Sequence, residues 1–254
     1  MPISTVILAA GRGTRMRSEI PKVLHKICGK EMIYFVIKEA LKVSDDVSII
    51  LYHKYEDVKN TIEKYFGNRV KIYKQDHQNY PGTGGAMLGI SPKNQKVLVL
   101  NGDMPLINKE SIQKFQEIDS KIVMSVMKLS SGSGYGRVVI KDGVVDAIIE
   151  EKDADEETKK INIVNGGVYM FDKDILESYL PKLTNLNAQK EYYLTDVVTL
   201  SIKDGVKITP LTVDEESFKG VNSKLDLAKS EEIMCKKIKE SLMRNGVIFH
   251  LPDT

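Results

Sequence analysis

The sequence predicts an α/β protein: a mostly parallel sheet flanked by helices, with a hairpin in its second half and a long helix near its C-terminus. Three observations carry that prediction. Short apolar runs alternate with helical spacings through the first half of the chain. The first such run, Val6-Ile7-Leu8, is followed at once by a glycine-rich, cationic turn. The chain has 254 residues, 42% hydrophobic and 28% charged, which suits one large α/β domain or two small ones.

The elements follow in order. Residues 6–10 read as a buried strand. Met32, Val36, Ala40 and Val43 share one face of a helix over 32–43. Residues 47–52 read as a second strand, and 55–66 as a polar-faced helix stopped by Gly67. A third strand over 70–73 leads to Gln75 and a Gly/Pro-rich loop, after which a small-residue helix opens near Gly84. Lys96-Val97-Leu98-Val99-Leu100 is the clearest central strand; it ends in Asn101-Gly102-Asp103, and 109–118 has helical spacing. The second half changes character. Residues 122–127 form a strand, 130–136 a loop, and 137–140 with 144–149 a hairpin around Lys141-Asp142-Gly143. The charged stretch 150–160 reads as a solvated excursion. A strand over 161–171 is interrupted by Asn165-Gly166-Gly167, and 193–202 is helical. Residues 225–243 form a long helix with apolar Leu225, Ala228, Ile233, Ile238 and Leu242, stopped by Asn245-Gly246. Residues 247–254 have no obvious partner and read as the beginning of a further segment.

A net charge of +2 is too near balance to argue for nucleic acid or a membrane surface, so any cationic function is local. No apolar run approaches the roughly 20 residues of a membrane span, and nothing reads as a secretory signal. Cys28 and Cys235 are far apart in sequence and form neither a disulfide framework nor a metal cluster; they read as reduced, partly buried thiols of a soluble cytoplasmic protein.

The chemistry concentrates in Leu8-Ala9-Ala10-Gly11-Arg12-Gly13-Thr14-Arg15-Met16 and Pro21-Lys22. Two glycines directly after a strand let the backbone turn and expose amide N–H groups, and Arg12, Arg15 and Lys22 add positive charge, the arrangement a nucleotide phosphate needs. The Walker loop is absent, and the dinucleotide fingerprint fails because Met16 stands at its third glycine. Open parallel sheets bind ligands beyond the carboxyl ends of their strands, where Gln75 and Asn101-Gly102-Asp103 also fall. Asp103 suits a Mg²⁺ bridging phosphate oxygens, or equally a turn or helix cap. Gly82-Thr83-Gly84-Gly85 either admits a flat base or only turns the chain. His25, His53, His77 and His250 lack metal spacing and read as structural or exposed.

These residues resemble the signature of the sugar-nucleotide pyrophosphorylases. Gln75, Pro81-Gly82-Thr83-Gly84, Gly102-Asp103-x-Pro105-Leu106, Gly134-Tyr135-Gly136-Arg137, Ile149-Glu150-Glu151-Lys152-Asp153-Ala154, Asn165-Gly166-Gly167-Val168-Tyr169, Asn187-Ala188-Gln189-x-Glu191-Tyr192-Tyr193-Leu194-Thr195-Asp196 and Gly220-Val221-Asn222 fall in order. Together they are similar to the N-terminal domain of the bifunctional N-acetylglucosamine-1-phosphate uridyltransferase/glucosamine-1-phosphate acetyltransferase family. The resemblance implies a Rossmann-like nucleotidyltransferase fold with a sugar-binding half built around the hairpin. It implies Mg²⁺-dependent conversion of UTP and N-acetylglucosamine 1-phosphate to UDP-N-acetylglucosamine and pyrophosphate, for cell-wall and lipopolysaccharide precursors. Leu8, Ala9, Ala10, Gly11, Gln75, Gly82, Thr83, Asn101 and Gly102 would bind the nucleotide; Gly136, Glu150, Asn165 and Asn222 the sugar. Asp103 and Asn222 would hold Mg²⁺, and Arg15, Lys22 and Asp103 would carry catalysis by positioning and charge neutralisation, without a covalent intermediate.

Three departures stand out. Asn101 replaces a frequent Tyr, Gly85 a frequent His, and Asn79-Tyr80-Pro81 looks like a small insertion. The expected division is a transferase domain over 1–223 and a helical arm over 224–254. Gly246 through Thr254 resembles the start of the family's left-handed β-helix acetyltransferase domain, so the chain reads as an isolated first domain without acetyltransferase activity. Full-length relatives would trimerise through that domain, leaving this chain a monomer. Rival readings are a pyrophosphorylase for another sugar or base, a non-catalytic nucleotide-sugar sensor and a structural subunit.

Overall fold

The computed structural model describes residues 1–250. The part of the Gly246–Thr254 resemblance that falls on 251–254 lies outside the described residues. Two periodicities build the molecule. Along the central strand β6 (Lys96–Asn101), Val97 and Val99 face one side and Leu98 and Leu100 the other, all with essentially no solvent exposure. Both faces are therefore covered, as the apolar runs required. One core holds Ile7, Ile49, Leu98 and Leu100 with residues of the helices α1 (Met32–Ala40), α2 (Tyr55–Phe66) and α4 (Lys109–Gln116). The other holds Val6, Ile50, Val97 and Val99 with residues of α3 (Thr83–Met87), α6 (Lys173–Tyr179) and α7 (Thr195–Lys203).

The remaining strands are β1 (Ile3–Ala9), a ribbon of β2 (Lys26–Ile27) and β3 (Lys30–Glu31), β4 (Asp46–Leu51), β5 (Lys71–Lys74), β7 (Ile122–Lys128), β8 (Arg137–Lys141), β9 (Val144–Ile149), β10 (Ile163–Asp172) and β11 (Ile208–Thr212). The main sheet runs β11-β7-β10-β6-β1-β4-β5, with the β8–β9 hairpin attached to β10. β10 alone in that path is antiparallel to its neighbours. The chain leaves β1 for β4 and β5 on one side and returns to β6 on the other. That reversal opens a crevice at the carboxyl ends of β1 and β6, where open α/β sheets take ligands. The mixed, mostly parallel sheet flanked by helices is the architecture the alternating pattern predicts.

The differences from expectation are local. The helix expected over 32–43 stops at Ala40, where Leu41–Val43 close as a turn. The excursion at 150–160 contains a one-turn helix, α5 (Glu156–Lys159), capped by the Asp155 side chain. Helices α6 and α8 (Glu215–Phe218) and strand β11 were not anticipated; each is short and lacks a strong period. The long helix is α9 (Lys224–Arg244), begun by a reciprocal capping box between Ser223 and Asp226. Its apolar positions do not all bury: Leu225 is 64% and Ile238 and Leu242 each 41% exposed.

β10 is continuous, but its register with β7 shifts between Asn165 and Tyr169, so Gly166, Gly167 and Val168 together face Ser125. Ser125 is fully buried and repairs the gap. Its hydroxyl donates to the Val168 carbonyl and accepts the Val168 N–H, both at 2.9 Å. Asn165 is the last residue paired with β7 before the bulge, and its N–H donates to the Gly136 carbonyl at the start of the hairpin at 2.9 Å. Ser125→Ala leaves both backbone groups unpaired in the core and should destabilise the fold by about 1–3 kcal/mol, read as a lowered midpoint in urea unfolding.

Candidate functional site

A cleft of about 410 Å³ opens beyond β1, β5 and β6, lined by Leu8 through Thr14, Lys22, Gln75, Gly82, Thr83, Asn101 and Asp103 among others. Thus the structure gathers most of the sequence-predicted nucleotide residues in one place. The last ladder steps bring them there. The Gly102 N–H donates to the Leu8 carbonyl and the Gln75 N–H to the Leu51 carbonyl, each at 2.8 Å. Gly102 itself does not line the cleft; it lets β6 pass against Ala9 and Ile33, where a Cβ would sit 3.0 and 2.8 Å from their side chains.

Beyond Gly11 the chain turns through Gly13, whose φ of +64° is left-handed. A side chain there is barred twice over, because a Cβ would meet the Lys22 Cβ at 2.6 Å. The loop backbone thereby lies on the stem of Lys22 and aims its ammonium. Lys22 forms an ion pair with Asp103 and also donates to the Asn222 side-chain carbonyl at 3.2 Å. Arg15 donates to the same Asn222 oxygen at 2.8 Å. Asn222 reaches the cluster because the Val221 N–H donates to the Asp103 backbone carbonyl at 2.8 Å. The oxygens of Asp103 and Asn222 therefore meet at the Lys22 ammonium from distant segments. A carboxylate and a neutral amide oxygen are hard donors of the kind a divalent cation would take. Among the described residues, no group of three or more His, Cys, Asp or Glu side chains is placed to hold a metal.

Of the four residues expected on the sugar side, Gly136, Glu150 and Asn165 come together, whereas Asn222 stands with Lys22 and Arg15. A Cβ on Gly136 would lie 3.4 Å from a Glu150 carboxylate oxygen, and the Gly136 carbonyl accepts the Asn165 N–H at 2.9 Å. Thr195 donates to Glu150 at 2.9 Å, and the Asn165 amide donates to the Tyr169 hydroxyl at 2.6 Å. Burial raises the Glu150 carboxyl above its ordinary range; the Thr195 hydrogen bond opposes this and Asp153 adds to it. The two halves are joined: the Asn101 amide donates to the Gly167 carbonyl of the bulge at 3.0 Å.

A strap over residues 187–193 ties the two halves again, and its role was not read from sequence. The Tyr192 N–H donates to Pro81, Gly84 donates to Tyr192, and Lys152 reaches Gln189 at 2.7 Å. The Thr83 hydroxyl accepts the Leu194 N–H at 3.0 Å, so this predicted ligand residue also holds the strap. Val23, Ala86, His77 and Glu191 line the cleft without having been singled out for it. His77, expected to be structural or exposed, stacks on Tyr52 with ring centroids 4.2 Å apart. Its place two residues beyond Gln75 was the available signal. Cys28 and Cys235, expected as partly buried thiols, are both half-buried, and their sulfurs lie 2.9 Å apart. No helix among the described residues is long and apolar enough to cross a membrane.

Glu150 supports a prediction with a definite sign. Its folded-state pKa lies above the unfolded value, so the fold binds the proton more tightly, and stability falls as pH rises through that window. Glu150→Gln removes a charge that the buried site disfavours. Above the window the variant should melt no lower than the parent, while a sugar phosphate that needs the carboxylate binds more weakly; calorimetry and sugar-phosphate titration read both.

The profile of the MobA-like NTP transferase domain matches residues 5–132, just over half of the chain. The "Bifunctional protein GlmU" of Wolinella succinogenes is 59% identical over 254 residues, covering 100% of this chain and 59% of that protein. The protein of the same name from Aliarcobacter butzleri is 58% identical over 251 residues, covering 99% and 58%. The chain thus spans about three fifths of the length of these curated relatives. The structure of the inositol-1-phosphate CTP transferase from T. maritima superposes with a TM-score of 0.70 at 19% identity, covering 97% of this chain and 98% of that one, a likeness of fold. The glycine loop and every residue lining the cleft except Glu191 lie within the matched residues, and the chain belongs to the MobA-like NTP transferase family.

Proposed function

We propose that this chain is a uridylyltransferase that joins the uridylyl group of UTP to N-acetylglucosamine 1-phosphate and releases pyrophosphate. The observation that carries the reading is the hydrogen-bonded union of a cationic, nucleotide-sized cleft with the Gly136–Glu150–Asn165 cluster, through Asn101 and the β10 bulge. The cleft offers backbone amides, Arg12 and Lys22 to a triphosphate, with Arg15 held beside Lys22 on the Asn222 oxygen; the cluster offers a carboxylate and an amide to sugar hydroxyls. The relatives named GlmU support the same assignment.

Gln75 supports a uracil base. Its side-chain NH₂ donates to the carbonyls of Tyr80 and Gly82 at 2.8 and 2.9 Å, which spends both hydrogens. The oxygen left is an acceptor, matched to the imino N–H of uracil and mismatched to the unprotonated N3 of cytosine.

In the reaction, an oxygen of the sugar phosphate attacks the α-phosphorus of UTP, the bond to the bridging β-phosphate oxygen breaks, and pyrophosphate leaves. A phosphate monoester is already an anionic nucleophile, so no side chain need abstract a proton. Lys22 and Arg15 hold the phosphates in line and offset the charge that spreads over them. Mg²⁺, held by Asp103 and Asn222, would supply further charge neutralisation at phosphate oxygens. The sugar is held by Glu150 and Asn165, with Gly136 letting the backbone come close. On this reading residues 1–223 form the transferase unit and 224–254 an arm.

The test is pyrophosphate release from UTP and N-acetylglucosamine 1-phosphate, with glucose 1-phosphate and CTP in parallel tubes. Release confined to UTP with the N-acetylated sugar, abolished by chelation and restored by Mg²⁺, is the expected outcome. Asp103→Ala and Lys22→Ala should each lower turnover by about 10²-fold or more while the protein stays folded. Preference for glucose 1-phosphate would overturn the sugar assignment, and near-parental turnover in either variant the role of that residue.

A further inference from the structure

We propose that Cys28 and Cys235 form an oxidisable dithiol site, closed to an intramolecular disulfide by a hydroperoxide, that clamps α9 onto the β2–β3 ribbon beneath the glycine loop. The two sulfurs, 207 positions apart in sequence, lie 2.9 Å apart, inside van der Waals contact. A movement of less than an ångström takes them to the ~2.05 Å of a disulfide. Both thiols are partly exposed, so a small oxidant reaches them.

The backbone around Cys28 points the same way. Cys28 and Gly29 join β2 to β3 as a two-residue turn in which both have positive φ, 46° and 80°. Asn, Asp and Gly suit the first of these positions, and a cysteine there carries a conformational cost. What the conformation achieves is to set the thiol against α9. The Cys28 N–H also donates to the Glu231 carboxylate at 3.0 Å, and Glu231 lies one helical turn before Cys235 on the same face. Beneath the pair, Met16 of the glycine-loop segment, Ile27, Met32 and Val221 form a small separate core, with Leu227 and Met234 packed on it. A bond between the thiols would therefore fix the segment that carries Asn222 to the one that carries Arg15 and Lys22.

Burial, with the Cys235 thiol and the Glu231 carboxylate nearby, pushes the Cys28 thiol up. Either sulfur can attack first with the same product; here Cys235 is the attacker. Its thiolate attacks one oxygen of the hydroperoxide and the O–O bond breaks. With hydrogen peroxide as oxidant, the departing hydroxide takes a proton and leaves as water, and Cys235 becomes a sulfenic acid. The Cys28 sulfur then attacks that sulfur, the S–O bond breaks, and a second water departs. Two thiols lose two electrons and two hydrogens, and one peroxide becomes two waters. A dithiol reductant reverses the product by exchange.

The test uses the reduced chain and hydrogen peroxide, and does not depend on the identity of the substrates. Intact mass should fall by two hydrogens, peptide mapping should join Cys28 to Cys235, and dithiothreitol should restore the starting mass. The oxidised protein should melt several degrees higher, and Cys28→Ser and Cys235→Ser should each abolish both effects. Should either variant fail to fold, differential alkylation of the parent decides alone, by loss of reactivity at both cysteines together. Oxygen addition at one cysteine without a link, a link between two chains, or a linked protein with an unchanged melting point would overturn the clamp.

Discussion

The contact of Lys22 with Asp103 and Asn222 is the interaction on which the arrangement of the site rests. It draws together the turn that follows the glycine loop, the end of β6 and the residue before the Ser223 cap of α9, with Asp103 and Asn222 lying 81 and 200 positions from Lys22. Both members of the ion pair are largely buried, with side chains 16% and 15% exposed. Such a pair loses hydration and is poor evidence of added stability. Nearly every local peculiarity nearby serves to create it. Gly13 leaves room for the lysine stem, and Gly220 passes within 3.2–3.3 Å of the Asp103 carboxylate, measured from where its Cβ would stand. The Asn222 and Ser223 amides both donate to Asp226, so the cap of α9 fixes where the amide oxygen points. Local strain and close approach gathered at one partly desolvated charge cluster are what a polyanion site requires.

The departures from the family pattern are answered within this chain. A Cβ at Gly85 would stand 2.1 Å from the Tyr80 carbonyl oxygen, so the inserted Asn79-Tyr80-Pro81 segment occupies space that a side chain at 85 would need. The segment is held by Asp76, which accepts from the Asn79 amide at 2.8 Å, and its Tyr80 carbonyl orients Gln75. Asn101 gives up an aromatic face, but its amide pins the Gly167 carbonyl and with it the bulge that carries Asn165.

How far the sequence could be read depended on whether a feature was local. The turn after β1, Gly67 closing α2 and the hairpin over β8 and β9 each declare themselves within a few residues, and the structure places them where the pattern does. Short elements such as α6 and β11 escaped because their support is tertiary; β11 exists by pairing with β7. In the site, the glycine loop, Gln75, Asn101 and Asp103 follow from their place at strand ends. Gly136, Glu150, Asn165 and Asn222 could be named only through family resemblance, since no spacing reveals that a hairpin will meet a bulge or that the residue before a helix cap will meet the end of β6. His77, the strap over 187–193 and the contact of Cys28 with Cys235 depend on pairings between distant segments, which a single sequence does not display.

The two ends of the site are electrostatically opposite, and this polarity orients a ligand. Cations gather at the phosphate end although the whole chain carries only +2. At the other end, burial raises the carboxyls of both Glu150 and Asp196, and Glu150 adds to the shift at Asp196. A carboxylate so poorly solvated has more to gain from a bound hydroxyl than an exposed one, because the ligand returns hydrogen bonds that folding removed. Thr195 supplies one donor to Glu150; Gly136, lacking a side chain, leaves the approach to the carboxylate clear for another. A molecule with phosphates at one end and hydroxyls at the other relieves both imbalances in a single orientation. A free nucleotide satisfies only the cationic end, and a free sugar only the carboxylate.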